Sequence, residues 1–143
     1  MSLLPRAVVD TSTLVSAALR PGSVPAEAFR LALARFELAC CNETLQELDS
    51  VLQRPKFDRY LPLEDRQLFV TFVQQTSRPV RISAHHWAAA QGCSDPNDVM
   101  FLALALAASA QVLISSDIDL LSMHPFEGVQ VLAPADFLAR FED

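Results

Sequence analysis

This chain of 143 residues has few cysteines, few basic residues and no repetitive sequence. Its three cysteines, Cys40, Cys41 and Cys93, are odd in number and two are adjacent, which argues against a disulfide framework and favours a reducing compartment. None of them lies at zinc-ligand spacing from a histidine. The absence of internal repeats, low-complexity segments and linkers indicates one domain over residues 1–143.

Basic residues are also few, and acidic residues outnumber them, which gives a formal net charge of −6. A nucleic-acid binder usually has a basic surface, so this charge argues against nucleic acid unless several acids are bound to metal. Ten of the eleven basic residues are arginine, whose planar guanidinium suits phosphate. The stretch Arg54, Lys56 and Arg59 can guide phosphates, or it can be an ordinary solvated turn.

Neither a signal peptide nor a clear transmembrane helix is present, so we expect a cytoplasmic protein without a membrane partner. The start MSLLPRAVVD lacks the charged beginning and long apolar centre of a signal peptide. The uncharged run 99–116 reaches the length of a membrane span, but its composition changes near Gln111 and predicts a buried helix followed by a buried strand. The apolar fraction of 51% also suggests a homodimer.

Short apolar strands alternate with helices along the chain. Strands are predicted over 6–9, 36–41, 79–82, 111–115 and 129–132, and the principal helices over 14–19, 26–35, 43–54, 63–75, 85–91, 96–110, 118–123 and 134–141. The strands are continuous apolar runs, which is typical of a parallel sheet covered on both faces. The predicted fold class is therefore α/β, a three-layer α/β/α arrangement around a mainly parallel sheet of four or five strands.

Two aspartates follow predicted strands directly. Asp10 follows the first strand, and Asp117 comes just after the fourth. Ligands of open α/β sheets bind beyond the carboxyl ends of the strands, so both lie where a site is expected. The alternative interpretation is that each aspartate caps the N-terminus of a helix and binds no ligand.

Further acids lie at or beside apolar helices. Asp95 is predicted to cap the helix that Pro96 begins, and Asp98 lies in its first turn. The run VMFLALALA buries every face of that helix, so Asp98 must face a polar cavity or solvent. Glu47 lies on the shoulder of an apolar helix face beside Val51, where a solvated acid is the simple alternative.

Taken together, these acids predict a metal site. A parallel sheet brings Asp10, Asp98 and Asp117 to one edge, and Glu47 can complete the group. Clustered carboxylates either bind protons or bind cations, and an all-oxygen site suits Mg²⁺ or Mn²⁺. One or two such ions can promote phosphodiester hydrolysis.

Four segments resemble the motifs of PIN-domain nucleases, in the order in which that family has them. They are VVDTSTLVSA, ETLQELDSVLQRPKF, DPNDVMFLALALA and LISSDIDLL, and together they span most of the chain. The resemblance is to bacterial PIN proteins of the VapC type, the toxin components of toxin–antitoxin pairs. It implies a Mg²⁺- or Mn²⁺-dependent endoribonuclease, often dimeric and silenced by a small antitoxin.

The resemblance assigns roles to particular residues. The four acids carried over are Asp10, Glu47, Asp98 and Asp117, as catalytic residues and metal ligands, with Thr11 and Ser12 beside the substrate. Ser12 stands where the family usually has Asn, and Met100 where close relatives often have a basic residue. These departures leave open a catalytically weak or inactive PIN-like scaffold that binds RNA or protein.

Asp117 and Asp119 are predicted to differ in role. They lie about 200° apart around a helix axis, so they are not expected to bind one ion equally. Asp117 is predicted to be the direct ligand and Asp119 to act through a water.

Two other enzyme classes also begin with a strand that ends on Asp. A haloacid-dehalogenase-like phosphoryl-transfer domain would need a second aspartate at position 12, where this chain has Ser12. A receiver-like domain would need an acidic pair before the first strand, where the chain reads SLLPR.

Overall fold

A computed structural model describes residues 3–142 as a five-stranded sheet with helices on both faces. The strand order is β3-β2-β1-β4-β5, and every neighbouring pair is parallel. The strands are β1 (Arg6–Val9), β2 (Glu37–Cys40), β3 (Ser77–Pro79), β4 (Val112–Ile114) and β5 (Gln130–Leu132). The predicted three-layer α/β/α fold class is confirmed.

Within the described part of the chain, eight α-helices and two 3₁₀ turns connect and cover the strands. The helices are α1 (Thr11–Leu19), α2 (Val24–Arg35), α3 (Asn42–Leu52), α4 (Leu63–Thr76), α5 (Ala84–Ala89), α6 (Val99–Ala107), α7 (Ile118–Leu121) and α8 (Pro134–Phe141). The 3₁₀ turns cover Pro55–Phe57 and Pro96–Asp98. Helical crossovers of this kind are what allow neighbouring strands to run parallel.

The sheet has a core on each face because successive strand residues point to opposite sides. Val8 and Leu113 pack with α6 on one face. Val9 and Ile114 face the other core, which contains apolar residues of α1, α2, α3, α4 and α8. The uncharged run 99–116 forms α6 and β4 as predicted, and no helix within residues 3–142 is long and apolar enough to cross a membrane.

Three details of the local prediction were wrong. The third strand was predicted over 79–82 but is Ser77–Pro79, since α4 continues to Thr76 and β2 pairs Leu38 with Ser77. Asn42 was expected to cap α3, but the cap is Cys41, whose N–H donates to the Thr44 hydroxyl at 3.1 Å.

The third correction concerns the start of α6. Pro96 was expected to begin the α-helix, but Pro96–Asp98 form a 3₁₀ turn that Asp95 caps. Asp98 is the last residue of this turn, directly ahead of α6, and is 8% exposed.

Candidate metal centre

The pairing of β1 with β4 sets the position of the first acid. Asp10 follows β1, and its N–H donates to the carbonyl of Ile114 at 3.0 Å, which continues the ladder beyond the last strand residue. Asp10 is 4% exposed. Burial raises the pKa of Asp10 above its usual value, although hydrogen bonds from Ser115 and Thr13 oppose this shift.

Both carboxylate oxygens of Asp10 accept hydrogen bonds. Oδ1 accepts from the N–H of Thr13 at 3.0 Å, which makes Asp10 the cap of α1, and Oδ2 accepts from the Ser115 hydroxyl at 2.5 Å. The Ser12 hydroxyl lies 3.4 Å from each oxygen. Because Ser12 has one hydroxyl proton to donate, at least one carboxylate oxygen keeps a free lone pair, so capping and metal binding are compatible.

Ser115 is a member of this edge that the sequence analysis missed. Its hydroxyl donates to Asp10 and also accepts from the N–H of Asp117 at 2.9 Å. Fully buried at the end of β4, it links the acid after β1 to the start of α7. Its position directly after an apolar strand is the only signal for this role in the sequence.

Asp98 is a second buried acid with a raised pKa. Oδ2 is buried without a hydrogen-bond partner among the described residues, and the side chain makes no cap bond to α6. The pKa of Asp98 is raised to about 7, first by burial, then by the contact with Asp117 and its charge, and then by the charges of Asp95 and Asp10. Two carboxylates at hydrogen-bonding distance must share a proton or a cation.

Three aspartates in this region have ligand atoms within 4.8 Å of one another, and they are Asp95, Asp98 and Asp119. Asp95 caps the 3₁₀ turn by accepting from the N–H of Asn97 at 2.9 Å, as predicted. Asp117 caps α7 by accepting from the N–H of Asp119 at 2.8 Å. Asp95 is therefore both a cap and a neighbour of the predicted ligands, a second role that the sequence analysis missed although its spacing to Asp98 allowed it.

Glu47 lies in a groove that adjoins Asp10 and is not a member of the 4.8 Å group. The groove is lined by Thr11, Ser12, Val15, Ser16, Glu47, Val51, Arg54 and Phe57. The predicted position of Glu47 on the shoulder of α3 beside Val51 is confirmed. Thr11 and Ser12 connect this groove to the acidic edge through the first turn of α1.

The basic residues after α3 are exposed. Arg54 lines the groove with Glu47. Lys56 Nζ lies 5.1 Å from the ring centroid of Phe57, and Arg59 Cζ lies 5.4 Å from that of Tyr60. Their charges thus remain accessible at the surface beside the groove.

The chemistry of the acidic edge fits a hard divalent cation. All its candidate ligands are carboxylate oxygens, which Mg²⁺ and Mn²⁺ prefer. The unpartnered buried oxygen of Asp98 is the atom that such an ion would satisfy. An ion would also offset the repulsion that raises the pKa of Asp98.

The chain is similar to proteins of known family and structure. A family model described as a PIN domain matches residues 6–119. No curated protein matches the chain significantly.

Solved structures share the fold at low sequence identity. A chain of VapBC2 from Rickettsia felis, bound to promoter DNA, gives a TM-score of 0.65 at 14% identity, covering 90% of this chain and 98% of that chain. A chain of DNA-bound VapBC from Salmonella typhimurium gives 0.64 at 16% identity, covering 92% and 99%. The sarcin-ricin loop cleaving toxin VapC20 from Mycobacterium tuberculosis gives 0.57 at 18% identity, covering 87% and 98%.

Replacing Asp98 with Asn should stabilise the metal-free protein at high pH. Because the pKa of Asp98 is raised to about 7 from 3.8, the folded state binds a proton that the unfolded state lacks between about pH 4 and pH 7. Stability contributed by this group is therefore lost as the pH rises through this window, and the raised pKa of Asp10 acts in the same direction. In EDTA, Asp98→Asn should raise Tm at pH 8 and much less at pH 5, as measured by calorimetry.

Asp136→Asn is the matched control, since Asp136 is an exposed acid on α8. It should give no gain in Tm that depends on pH. Mg²⁺ should raise the Tm of the wild type more than that of Asp98→Asn. A lower Tm for Asp98→Asn at pH 8 without metal would instead assign the carboxylate to stabilising the start of α6.

Proposed function

The chain belongs to the PIN domain family, and we propose that it is a Mg²⁺- or Mn²⁺-dependent endoribonuclease, the toxin of a toxin–antitoxin pair. The proposal extends over residues 1–143 as one PIN-like domain. The observation that carries it is the buried, unpartnered oxygen of Asp98 among other carboxylates. A buried acid without a partner is costly, and a cation offsets that cost.

Four acids would hold the ion or ions. They are Asp10, Glu47, Asp98 and Asp117, with Asp119 contacting an ion through water. A bound divalent ion supplies a Lewis acid and lowers the pKa of water, which is the chemistry that phosphodiester hydrolysis needs. The hydrogen bonds that Asp10 accepts from Thr13 and Ser115 orient its carboxylate for this role.

RNA would bind beside the acids along the groove of α1 and α3. Thr11 and Ser12 offer hydroxyl groups next to Asp10, and Arg54, Lys56 and Arg59 offer positive charge at the groove and its edge. Metal bound to the acids would reduce the negative charge that phosphates meet there. Similarity to a toxin that cleaves the sarcin-ricin loop supports RNA as the substrate class.

The proposed partners follow from the same relatives. Two of the similar structures are VapBC complexes, which supports a small antitoxin as the regulator of this chain. The proposal includes a homodimer because the apolar fraction of the sequence is high. It also places the protein in the cytoplasm, where it would meet RNA.

RNA cleavage should require both a divalent ion and the acidic edge. Asp10→Asn and Asp98→Asn should each abolish cleavage of single-stranded RNA in Mg²⁺ or Mn²⁺, because each removes a charged ligand from the group. Gel analysis of end-labelled RNA measures this, with circular dichroism to check folding and Asp136→Asn as the unaffected control. Equal cleavage in EDTA and in Mg²⁺ would refute the proposal, whereas RNA binding without cleavage in any metal would favour the inactive scaffold.

Asp117 and Asp119 should separate in a metal titration. Asp117→Asn should remove activity, because a direct ligand is removed. Asp119→Asn should retain roughly a tenth to a hundredth of the activity and recover with added Mn²⁺, as expected when a group acts through water. The comparison of the two variants is informative because Asp119, and not Asp117, has a ligand atom within 4.8 Å of both Asp95 and Asp98. An inactive Asp119→Asn beside an active Asp117→Asn would reverse the two roles.

The basic residues should contribute to RNA affinity by neutralising phosphates. Replacing Arg54, Lys56 and Arg59 together with Ala should weaken binding, and the slope of log affinity against log salt should become shallower by about 0.7 for each phosphate that is no longer neutralised. Fluorescence anisotropy in EDTA measures binding without cleavage. Arg140→Ala on α8 is a control for the removal of exposed charge. Unchanged affinity and slope in the triple variant would remove these residues from the RNA site.

A further inference from the structure

The guanidinium of Arg66 on α4 is fully buried and donates to one short segment of chain. Its side chain is 0% exposed. One terminal nitrogen, Nη1, donates to the carbonyl of Leu52 at 2.8 Å and to that of Arg54 at 3.0 Å, and Nη2 donates to the carboxylate of Asp58. These bonds all reach residues 52–58, the end of α3 and the connection that follows it.

The backbone of this connection makes short-range hydrogen bonds of its own, from the Arg54 N–H to the Val51 carbonyl at 3.2 Å and from the Phe57 N–H to the Arg54 carbonyl at 3.1 Å. The bonds from Arg66 are those that tie it to α4. The connection contains a single 3₁₀ turn, Pro55–Phe57, and carries the exposed side chains of Arg54 and Lys56. Arg54 and Phe57 nevertheless form one wall of the groove that Glu47 and Val51 line from α3. The carbonyl contacts of Arg66 therefore act directly on the backbone that sets this wall.

Arg66 cannot meet a ligand itself, since none of its side chain reaches the surface. Asp58 is 66% exposed, so water screens its attraction to the guanidinium. The bonds to the carbonyls of Leu52 and Arg54 are therefore the main anchor. A planar guanidinium can reach both carbonyls and a carboxylate together, which an ammonium group cannot do in the same geometry.

We propose that Arg66 is a positioning residue for RNA binding. By holding the backbone at Leu52 and Arg54, it keeps the Arg54 side chain at the groove beside Glu47, where Arg54 binds a phosphate of single-stranded RNA. This inference rests on the proposed function for the identity of the ligand. According to this inference α4 controls the phosphate contact, although none of the candidate metal ligands named above lies on α4.

The experiment compares RNA affinity across a double-mutant cycle of Arg54 and Arg66. The full-length protein is titrated into a labelled single-stranded RNA of mixed sequence, in EDTA and over a series of salt concentrations. Arg66→Met should weaken binding by the same factor as Arg54→Ala and should make the salt slope shallower by about 0.7, the value for one neutralised phosphate. The double variant should bind no more weakly than Arg54→Ala alone, since both changes remove the same interaction. Arg66→Lys should restore part of the affinity.

Val131→Ala serves as the control for reduced stability, because Val131 is buried on β5 in the core on the opposite sheet face from α3 and α4. It should lower Tm without changing RNA affinity or the salt slope. Hydrogen exchange should rise in residues 53–58 of Arg66→Met and stay unchanged there in Val131→Ala.

The outcomes separate this inference from the proposed function. If Arg54→Ala weakens binding but Arg66→Met does not, or if their effects add in the double variant, the positioning role is wrong and the nuclease proposal stands. Unchanged exchange in residues 53–58 of Arg66→Met also overturns the positioning role. If the wild type binds RNA but never cleaves it, the nuclease proposal fails and the positioning role stands. A wild type that binds no RNA either in EDTA or in Mg²⁺ overturns both.

Discussion

The hydroxyl of Ser115 joins the two strands on whose ends the candidate site is built. It donates to Asp10 after β1 and accepts from the backbone N–H of Asp117 after β4. Because β1 and β4 are adjacent and parallel, their carboxyl ends meet at one sheet edge, and one small side chain can bridge them. The bond lowers the cost of burying the Asp10 carboxylate and at the same time sets where α7 begins. The approach of Asp117 to Asp98 depends on this arrangement.

Helix termini make a crowded acidic edge possible. Asp10, Asp95 and Asp117 each cap a helix or 3₁₀ turn by accepting a backbone N–H. The positive ends of these elements therefore face the acids and reduce their mutual repulsion. Asp98 lacks such a bond and is left with a raised pKa and an unpartnered oxygen. The imbalance is local, since the caps stabilise three of the acids, whereas Asp98 Oδ2 is buried without a hydrogen-bond partner among residues 3–142 and a cation would provide one.

The groove beside the acids is built from separate parts of the chain. The first turn of α1 contributes Thr11 and Ser12, α3 contributes Glu47, and the connection after α3 contributes Arg54. The buried guanidinium of Arg66 holds that connection from α4. Precise placement of a surface arginine thus depends on a buried one. Hydrogen bonds to main-chain carbonyls can achieve this because a buried carbonyl without a partner is costly.

The sequence by itself determined the fold class, most helices and the cap at Asp95, because periodicity and cap chemistry are local. It offered caps at Asp10 and Asp117 as an alternative to ligand binding. It also indicated that Asp10 and Asp117 lie at strand ends, since apolar runs end there. Only the tertiary structure decided the register of β3, the bridge through Ser115, the approach of Asp95 and Asp119 to Asp98, and the burial of Arg66. Each of these depends on contacts between residues that are distant in the chain or on the exact path of a turn. Arg66 illustrates the difference, because on an amphipathic helix an arginine is expected to face water, and only the carbonyls of another segment make its burial favourable.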